Sequence, residues 1–286
     1  MQNNSASKVG SAPPPQIDWM APENRQEAEK KIALTSGTTP YDRAFYEAQQ
    51  DGSYRSASVI VPIVLSLFPF ESVVDVGCGI GTWTRRFIEG GVSDVVGVDG
   101  DYVERSMLCI PQERFFPHDL RTPIQLDRSF QLAVCLEVGE HLPQARSRGL
   151  VDDLVSLAPC VLFSAALPGQ GGIDHINEQY LSKWADLFSA HDFVALDLIR
   201  HKIWNDGEVS WWYRQNIVLF AHRSHTLAER HAPVSVLDYI HPEQFENIPL
   251  RKLMQELPGA LLNSLRRRSK RVMPSFTSRA HSNLRA

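Results

Sequence analysis

Residues 73 to 83 read Val-Val-Asp-Val-Gly-Cys-Gly-Ile-Gly-Thr-Trp, and no other stretch of the chain restricts its fold so tightly. An apolar, β-branched run favours a buried strand. Gly77, Gly79 and Gly81 let the backbone turn sharply and leave room for a ligand at the strand's carboxyl end. The residues after Gly81 read as a helix. A strand that feeds a helix through such a turn belongs in a parallel sheet with helical crossovers.

The alternation continues along the chain. Apolar runs predict strands over 72–76, 94–98, 114–117, 130–137, 160–165, 193–199 and 216–221. Helices are expected over 82–89, from 102 onward, over 146–157 and over 178–190, with two more over 41–50 and 56–68 as a cover. Nearly continuous apolar strands signify burial on both faces. The last two strands are joined by about 16 residues that contain Asn205-Asp206-Gly207 and no convincing helix, so the last strand is expected to run antiparallel. The expected fold is α/β and Rossmann-like, a seven-stranded, mostly parallel sheet.

Composition sets the outer limits. At 43% hydrophobic and 22% charged, the 286 residues are not those of a disordered chain. Residues 1–40 are polar and Pro-rich and read as a disordered tail, with room for one short helix over 23–33. The strand–helix alternation fills 41–222, and 223–286 form a C-terminal extension with helices expected over 235–244 and 250–265. The longest apolar run, 58–70, contains Pro62 and is shorter than the roughly 20 residues that span a bilayer. No secretory signal opens the sequence, and Cys78, Cys109, Cys135 and Cys160 form no C-x-x-C pair. A cytoplasmic protein with reduced, mostly buried thiols is expected. The net charge of −4 hides an asymmetry, because Arg266 to Arg285 hold seven basic residues and no acid. The acidic remainder argues against a nucleic-acid partner, and the basic tail is read as solvated or touching an anionic surface.

Three acids follow the strands in order. Asp75 lies within the first strand, Asp99 closes the second 22 residues after Gly77, and Asp119 closes the third in Phe116-Pro117-His118-Asp119-Leu120. An acid roughly 20 residues past the first glycine suits the two ribose hydroxyls of a nucleotide, and the third-strand acid suits an adenine amine. Thr82 stands where the dinucleotide fingerprint wants its third glycine, which argues against a hydride-transferring dehydrogenase.

On these residues, from about Phe45 to His222, the chain resembles the class I S-adenosylmethionine-dependent methyltransferases. The resemblance implies bound S-adenosylmethionine. Asp75, Gly77, Cys78, Gly79 and Gly81 would border its methionine portion, Asp99 the ribose and Asp119 the adenine, with Gly100, Leu120 and Glu137 completing the set. The chain is most similar to a bacterial subgroup met near polysaccharide and cell-surface glycan genes. The shared stretches are Leu136-Glu137-Val138-x-Glu140-His141-Leu142-Pro143, 163–172 with His175-Ile176-Asn177-Glu178-Gln179, and Trp212-Tyr213-Arg214-Gln215-Asn216. Gln131 departs from the Asp that many members carry in the fourth strand and that supports the local loop.

Methyl transfer requires an oriented acceptor, exclusion of water and, for a hydroxyl, removal of a proton. Candidates therefore sit at the carboxyl edge of the sheet: Glu137, Glu140 and His141 after the fourth strand, His175 and Asn177 after the fifth, and Trp204, Trp212, Tyr213 and Arg214 before the last. The aromatic residues suit the stacking of a sugar or aromatic ring. If the chain turns helical after the fourth strand, Glu137, Glu140 and His141 share a face. Small-RNA terminal 2′-O-methyltransferases have a similar Glu-x-x-Glu-His stretch and a later His, which implies a divalent metal such as Mg²⁺ or Mn²⁺ on Glu137, Glu140, His141 and His175. Without a metal, His175 or His141 serves as base. The metal-free version is the slightly favoured one, because the stretch is common in the wider fold. The leading function is O-methylation of a sugar or other small molecule. The alternatives are 2′-O-methylation of an RNA end and a non-catalytic cofactor-binding module. DNA base methylation is disfavoured, since neither Asp-Pro-Pro-Tyr nor Pro-Cys-Gln occurs.

Overall fold

The structure, a computed structural model, describes residues 43–246. Seven strands form one sheet: β1 (Ser72–Val76), β2 (Asp94–Asp99), β3 (Phe115–Pro117), β4 (Leu132–Leu136), β5 (Cys160–Ser164), β6 (Phe193–Leu196) and β7 (Val218–His222). Their order is β3-β2-β1-β4-β5-β7-β6. The first five are parallel, and β7 runs antiparallel between β5 and β6, as the missing crossover required. The carboxyl ends of β1, β2, β4 and β5 and the start of β7 thus share one edge. The crevice where the connections diverge, between β1 and β4, lies at its centre.

Both faces of the sheet are covered. Helices α1 (Arg43–Leu67) and α2 (Thr82–Glu89) lie on one side, with Ile60, Val64 and Phe87 packed on Val73, Leu132 and Leu162. Helices α3 (Ser147–Leu157) and α4 (Leu181–Ser189) lie on the other, where Leu150, Leu154, Trp184 and Phe188 meet Ala133, Phe163 and Phe220. Strands buried on both faces cannot alternate with polar residues, which is why the sequence runs are continuous.

Four expectations are revised. The two cover helices are one, α1, running through Gly52 and Pro62. Ser56 and Ser58 bond the carbonyls of Gly52 and Tyr54 inside it, and the buried Ile60, Val61 and Val64 bind the helix to the sheet. The helix expected from 102 is replaced by two 3₁₀ turns, Arg105–Met107 and Gln112–Arg114. Pro111 interrupts that segment, whose Val103 and Ile110 fold down on Cys78 and Ile80 of the glycine turn. The β6–β7 connection holds two short helices, α5 (Arg200–Ile203) and α6 (Trp211–Asn216). In the extension, where a helix is expected over 235–244, the described residues hold a short α7 (Thr226–Arg230) and a helix α8 (Pro242–Glu246). The extension packs on the sheet as far as it is described: Leu237 joins the core and the Val234 N–H donates to the Ala195 carbonyl (3.0 Å). The helices expected over 23–33 and 250–265 and the basic tail lie outside the described residues. All four cysteines are free, three of them buried. Among the described residues, no helix is long and apolar enough to cross a membrane.

Candidate active site

The glycine turn forms the first wall. Gly77 has φ +80°, and a Cβ there would meet Cγ2 of Val138 at 2.3 Å, so the turn and the end of β4 close against each other only because position 77 has no side chain. Asp75 is buried beneath this turn, where Oδ2 accepts from the Thr84 N–H (3.0 Å) and hydroxyl (2.7 Å). Burial pushes its carboxyl up to about 7 despite those bonds, and Asp99 adds to the rise. Asp75 therefore ties the turn to the start of α2 from below. Asp99 is 4% exposed at the end of β2. It accepts from the Gly79 N–H (2.6 Å), the Gly100 N–H (2.6 Å) and the Tyr102 hydroxyl. Burial raises its carboxyl, and those three donors oppose the rise. Asp119 stands on the exposed rim, where the paired Arg121 guanidinium holds its carboxyl below the usual range, and Leu120 beside it is buried.

The second wall follows β4 and β5. Here the chain makes no helical turn from Glu137. Glu137 instead takes φ +54°, and a 3₁₀ turn over Gly139–His141 swings Glu140 and His141 the other way. Gly139 lies so close to Trp184 that a Cβ would approach its ring to 2.7 Å, which packs the turn onto α4. The imidazole rings of His141 and His175 meet edge to face at 4.9 Å. Donor atoms of Glu140, His141 and His175 all lie within 4.8 Å of one another. Glu137 is not in this group. Its carboxylate is held by Asn216 and Gln170 at 3.1 and 2.9 Å, so the expected four-residue set contracts to three.

Glu140 has 0% exposure, and neither of its carboxylate oxygens has a partner in hydrogen-bonding geometry, although the amides of Glu140 and Ala166 and the Glu137 carboxyl lie close. Burial, then Glu137, pushes its carboxyl well above the carboxylate range. Burial, then His175, lowers His141 to about 4, so its ring is neutral at pH 7. A buried, unsatisfied carboxyl beside two imidazoles is a donor set that fits a divalent cation, which replaces the missing partner.

His175 is aligned by a residue that the sequence argument quoted without assigning it work. Glu178 Oε1 lies 3.1 Å from His175 Nδ1 and accepts from the Gly171 N–H (2.8 Å), while Oε2 accepts from the Gly169 N–H (2.7 Å). This leaves Nε2 as the free ring nitrogen, turned over Gly172, where a Cβ would come within 2.2 Å of it. A carboxylate behind a histidine is the usual support of a metal-ligating ring. The three-residue spacing of His175 and Glu178 was the available signal.

The acceptor candidates divide. Trp204 and Trp212 are partly exposed. Tyr213 is buried, accepts from the Trp83 indole (3.3 Å) and has its phenol pushed up to about 12 by burial. Arg214 is buried and pairs with Glu243 (2.7 Å). Asn177 is buried and donates to the Gly139 carbonyl and the Ser147 hydroxyl, each at 3.0 Å. Tyr213, Arg214 and Asn177 thus brace the loops from inside and are not open to an acceptor. Gln131 lies at the opposite, amino edge of β4, accepting from the Glu71 N–H (2.6 Å), so its departure from Asp does not reach the site.

A family model described as a methyltransferase domain matches residues 45–201, more than half of the chain. Among curated proteins, no sequence matches. Solved structures with a similar fold include a magnesium protoporphyrin IX methyltransferase from Synechocystis with bound SAH, 16% identical, covering 70% of this chain and 94% of that one (TM-score 0.44). A sugar N-methyltransferase, KedS8 from Streptoalloteichus, is 13% identical over 77% of this chain and 100% of that one (TM-score 0.49). DesVI of Streptomyces venezuelae is 23% identical over 45% of this chain, and the match spans 57% of DesVI (TM-score 0.36).

Proposed function

The chain belongs to the methyltransferase-domain family, the class I S-adenosylmethionine-dependent methyltransferases, and from that premise we propose that it methylates a hydroxyl of a sugar or other small molecule beside a divalent cation held by Glu140, His141 and His175. The observation that carries the reading is the buried, unsatisfied Glu140 carboxyl beside two imidazoles, at the same sheet edge as the glycine turn.

The glycine turn fits the cofactor: Gly77 admits no side chain, and Asp99 is locked to the N–H groups of Gly79 and Gly100, which fixes the turn's shape. Asp99 and Gly100 would take the ribose, Asp119 and Leu120 the adenine, and Gly79, Gly81 and Glu137 the methionine portion. When bound, the sulfonium supplies an electrophilic methyl with its own leaving group. A divalent cation would supply positive charge, which lowers the pKa of a hydroxyl oxygen, as zinc lowers that of bound water to about 7. The chain aligns the reacting oxygen. Glu178 fixes the ring of His175, Gly172 leaves that ring its place, and Gly139 seats the Glu140–His141 turn on Trp184. Exposed Ile173, Ile176 and Tyr180 with partly exposed Trp212 offer apolar surface to a ring and displace water from it.

The experiment is transfer from labelled S-adenosylmethionine to nucleotide sugars, glycosides, small phenols and short RNAs, with Mn²⁺ or with EDTA. Transfer to sugar hydroxyls that EDTA abolishes and Mn²⁺ restores is expected. Transfer confined to RNA ends would redirect the reading to the runner-up acceptor, and EDTA-resistant transfer would return the proton to His175.

A further inference from the structure

The residues after β7 lie beyond the segment that the family model matches, yet one of their backbone N–H groups sets the polarity of one arm of a side-chain network that ends at Glu137. The His241 N–H donates to Oε1 of Gln215 at 2.7 Å. A backbone N–H can only donate, so this bond identifies the oxygen end of the Gln215 amide and turns Nε2 inward. There Nε2 donates to Oδ1 of Asn216 (3.1 Å) and toward Oε1 of Gln170 (3.5 Å). The Gln170 oxygen also accepts from the Leu167 N–H (3.3 Å), so that amide has an anchor of its own, while Asn216 takes its direction from Gln215; both present N–H groups to Glu137. Nδ2 of Asn216 donates to Oε1 (3.1 Å) and Nε2 of Gln170 to Oε2 (2.9 Å). Asn216 Nδ2 also donates to Oε1 of Gln170 (2.9 Å), which closes the network. Gln215 and Asn216 have 0% exposure, so water cannot replace a misdirected amide. The far end is anchored as well: His241 Nε2 lies 2.9 Å from the Trp204 carbonyl, and Arg214 holds Glu243.

Glu137 needs this support. Its backbone is left-handed at the end of β4, and the Glu140 carboxyl stands beside it. Two N–H donors, one on each oxygen, fix its rotamer, and the adjoining Val138 packs against the glycine turn. We infer that Gln215 is a positioning residue that transmits the donor polarity of the His241 N–H through Asn216 to Glu137, so that the 231–246 segment belongs to the cofactor-binding unit. This rests on the reading of Glu137 as a cofactor contact.

The test reverses the polarity without changing the shape. In Gln215→Glu, compared at a pH high enough to ionise the buried carboxyl, the new carboxylate still accepts from His241 but cannot donate. Asn216 must then turn its oxygen toward Glu137, while the Leu167 N–H keeps the Gln170 amide as it is. Affinity for S-adenosylmethionine, by titration calorimetry, is expected to fall about tenfold or more, with a lower thermal midpoint. Adding Glu137→Gln supplies an N–H to the reversed network, so the midpoint recovers toward wild type while cofactor affinity does not. Gln215→Met, which neither accepts nor donates, is expected to gain nothing from Glu137→Gln. Additive midpoint losses for Gln215→Glu and Glu137→Gln would overturn the relay, as would wild-type cofactor affinity in Gln215→Glu. A wild-type protein that bound no S-adenosylmethionine would overturn the cofactor reading instead, and the midpoint comparison would still decide the relay.

Discussion

In the β1–β2 half of the site, Asp75 and Asp99 meet donors from residues a short way along the chain: Thr84 for one, Gly79, Gly100 and Tyr102 for the other. In the β4–β5 half, Glu140 is just as buried and has no partner in hydrogen-bonding geometry, while the nearby Glu137 is held by amides from residues 33 and 79 positions away. The first half is a finished cradle whose acids stabilise the loop that holds them. The second keeps an unsatisfied carboxyl next to two imidazoles, at a cost to stability, and such a cost persists where a ligand or a reaction uses it. On the proposed reading the contrast separates binding from chemistry, and substitutions in the two halves should separate the same way.

The largest effect is expected at Glu140. Glu140→Gln keeps the size of the side chain and removes its charge, and turnover should fall by about 10²–10³ or more, with loss of Mn²⁺ binding by calorimetry and unchanged cofactor affinity. A full-rate Glu140→Gln enzyme would erase the distinction between the halves. Next comes Gly172→Ala, which pushes the His175 ring off Gly172. A supporting contact of this kind is worth about 10–100-fold in metal affinity or activity, so kcat should fall by that factor with the cofactor Kd unmoved. In the cradle, Asp99→Ala removes an acceptor of charge-assisted bonds, each worth about 1.5–3 kcal/mol, and cofactor affinity should weaken about tenfold at least. Retained tight binding in Asp99→Ala would show that the loop backbone alone holds the nucleotide.

The smallest effect is one of sign. The folded-state pKa of Asp75 is raised from 3.8 to about 7, so the folded state binds the extra proton, and the stability it contributes is lost as pH rises from about 4 through 7. The pKa of His141 is lowered from 6.5 to about 4, so its contribution is present above 6.5 and is lost as pH falls toward 4. Urea midpoints for Asp75→Asn should therefore improve relative to wild type as pH rises from 4 to 7. Those for His141→Gln should improve as pH falls from 6.5, each by at most about 1.4 kcal/mol per pH unit. Parallel trends in the two variants would mean that the halves do not differ in this way.

What the sequence determined by itself is what is local along the chain. Continuous apolar strands, three glycines in five residues and an acid at the next strand end specify the sheet, its reversed last strand and the cofactor cradle: burial on both faces is written in each strand, and the hydrogen bonds of the cradle join residues about 20 positions apart or fewer. Only the tertiary structure decided the rest. The Glu-x-x-Glu-His spacing suggested one helical face, but with the left-handed Glu137 and the 3₁₀ turn Glu137 meets Asn216 and Gln170 while Glu140 stays beside His141 and His175. Tyr213, Arg214 and Asn177 looked like acceptor contacts because they are polar or aromatic residues at the right edge. Whether such a side chain faces the acceptor or the interior depends on what the neighbouring loops bring to it, here Trp83, Glu243 and Gly139. Periodicity along a chain encodes which face of a strand or helix is buried. The direction of a hydrogen bond between loops that meet only after the sheet has formed has no counterpart in it, and so the partners of Glu137 and His175 became visible only in the folded molecule.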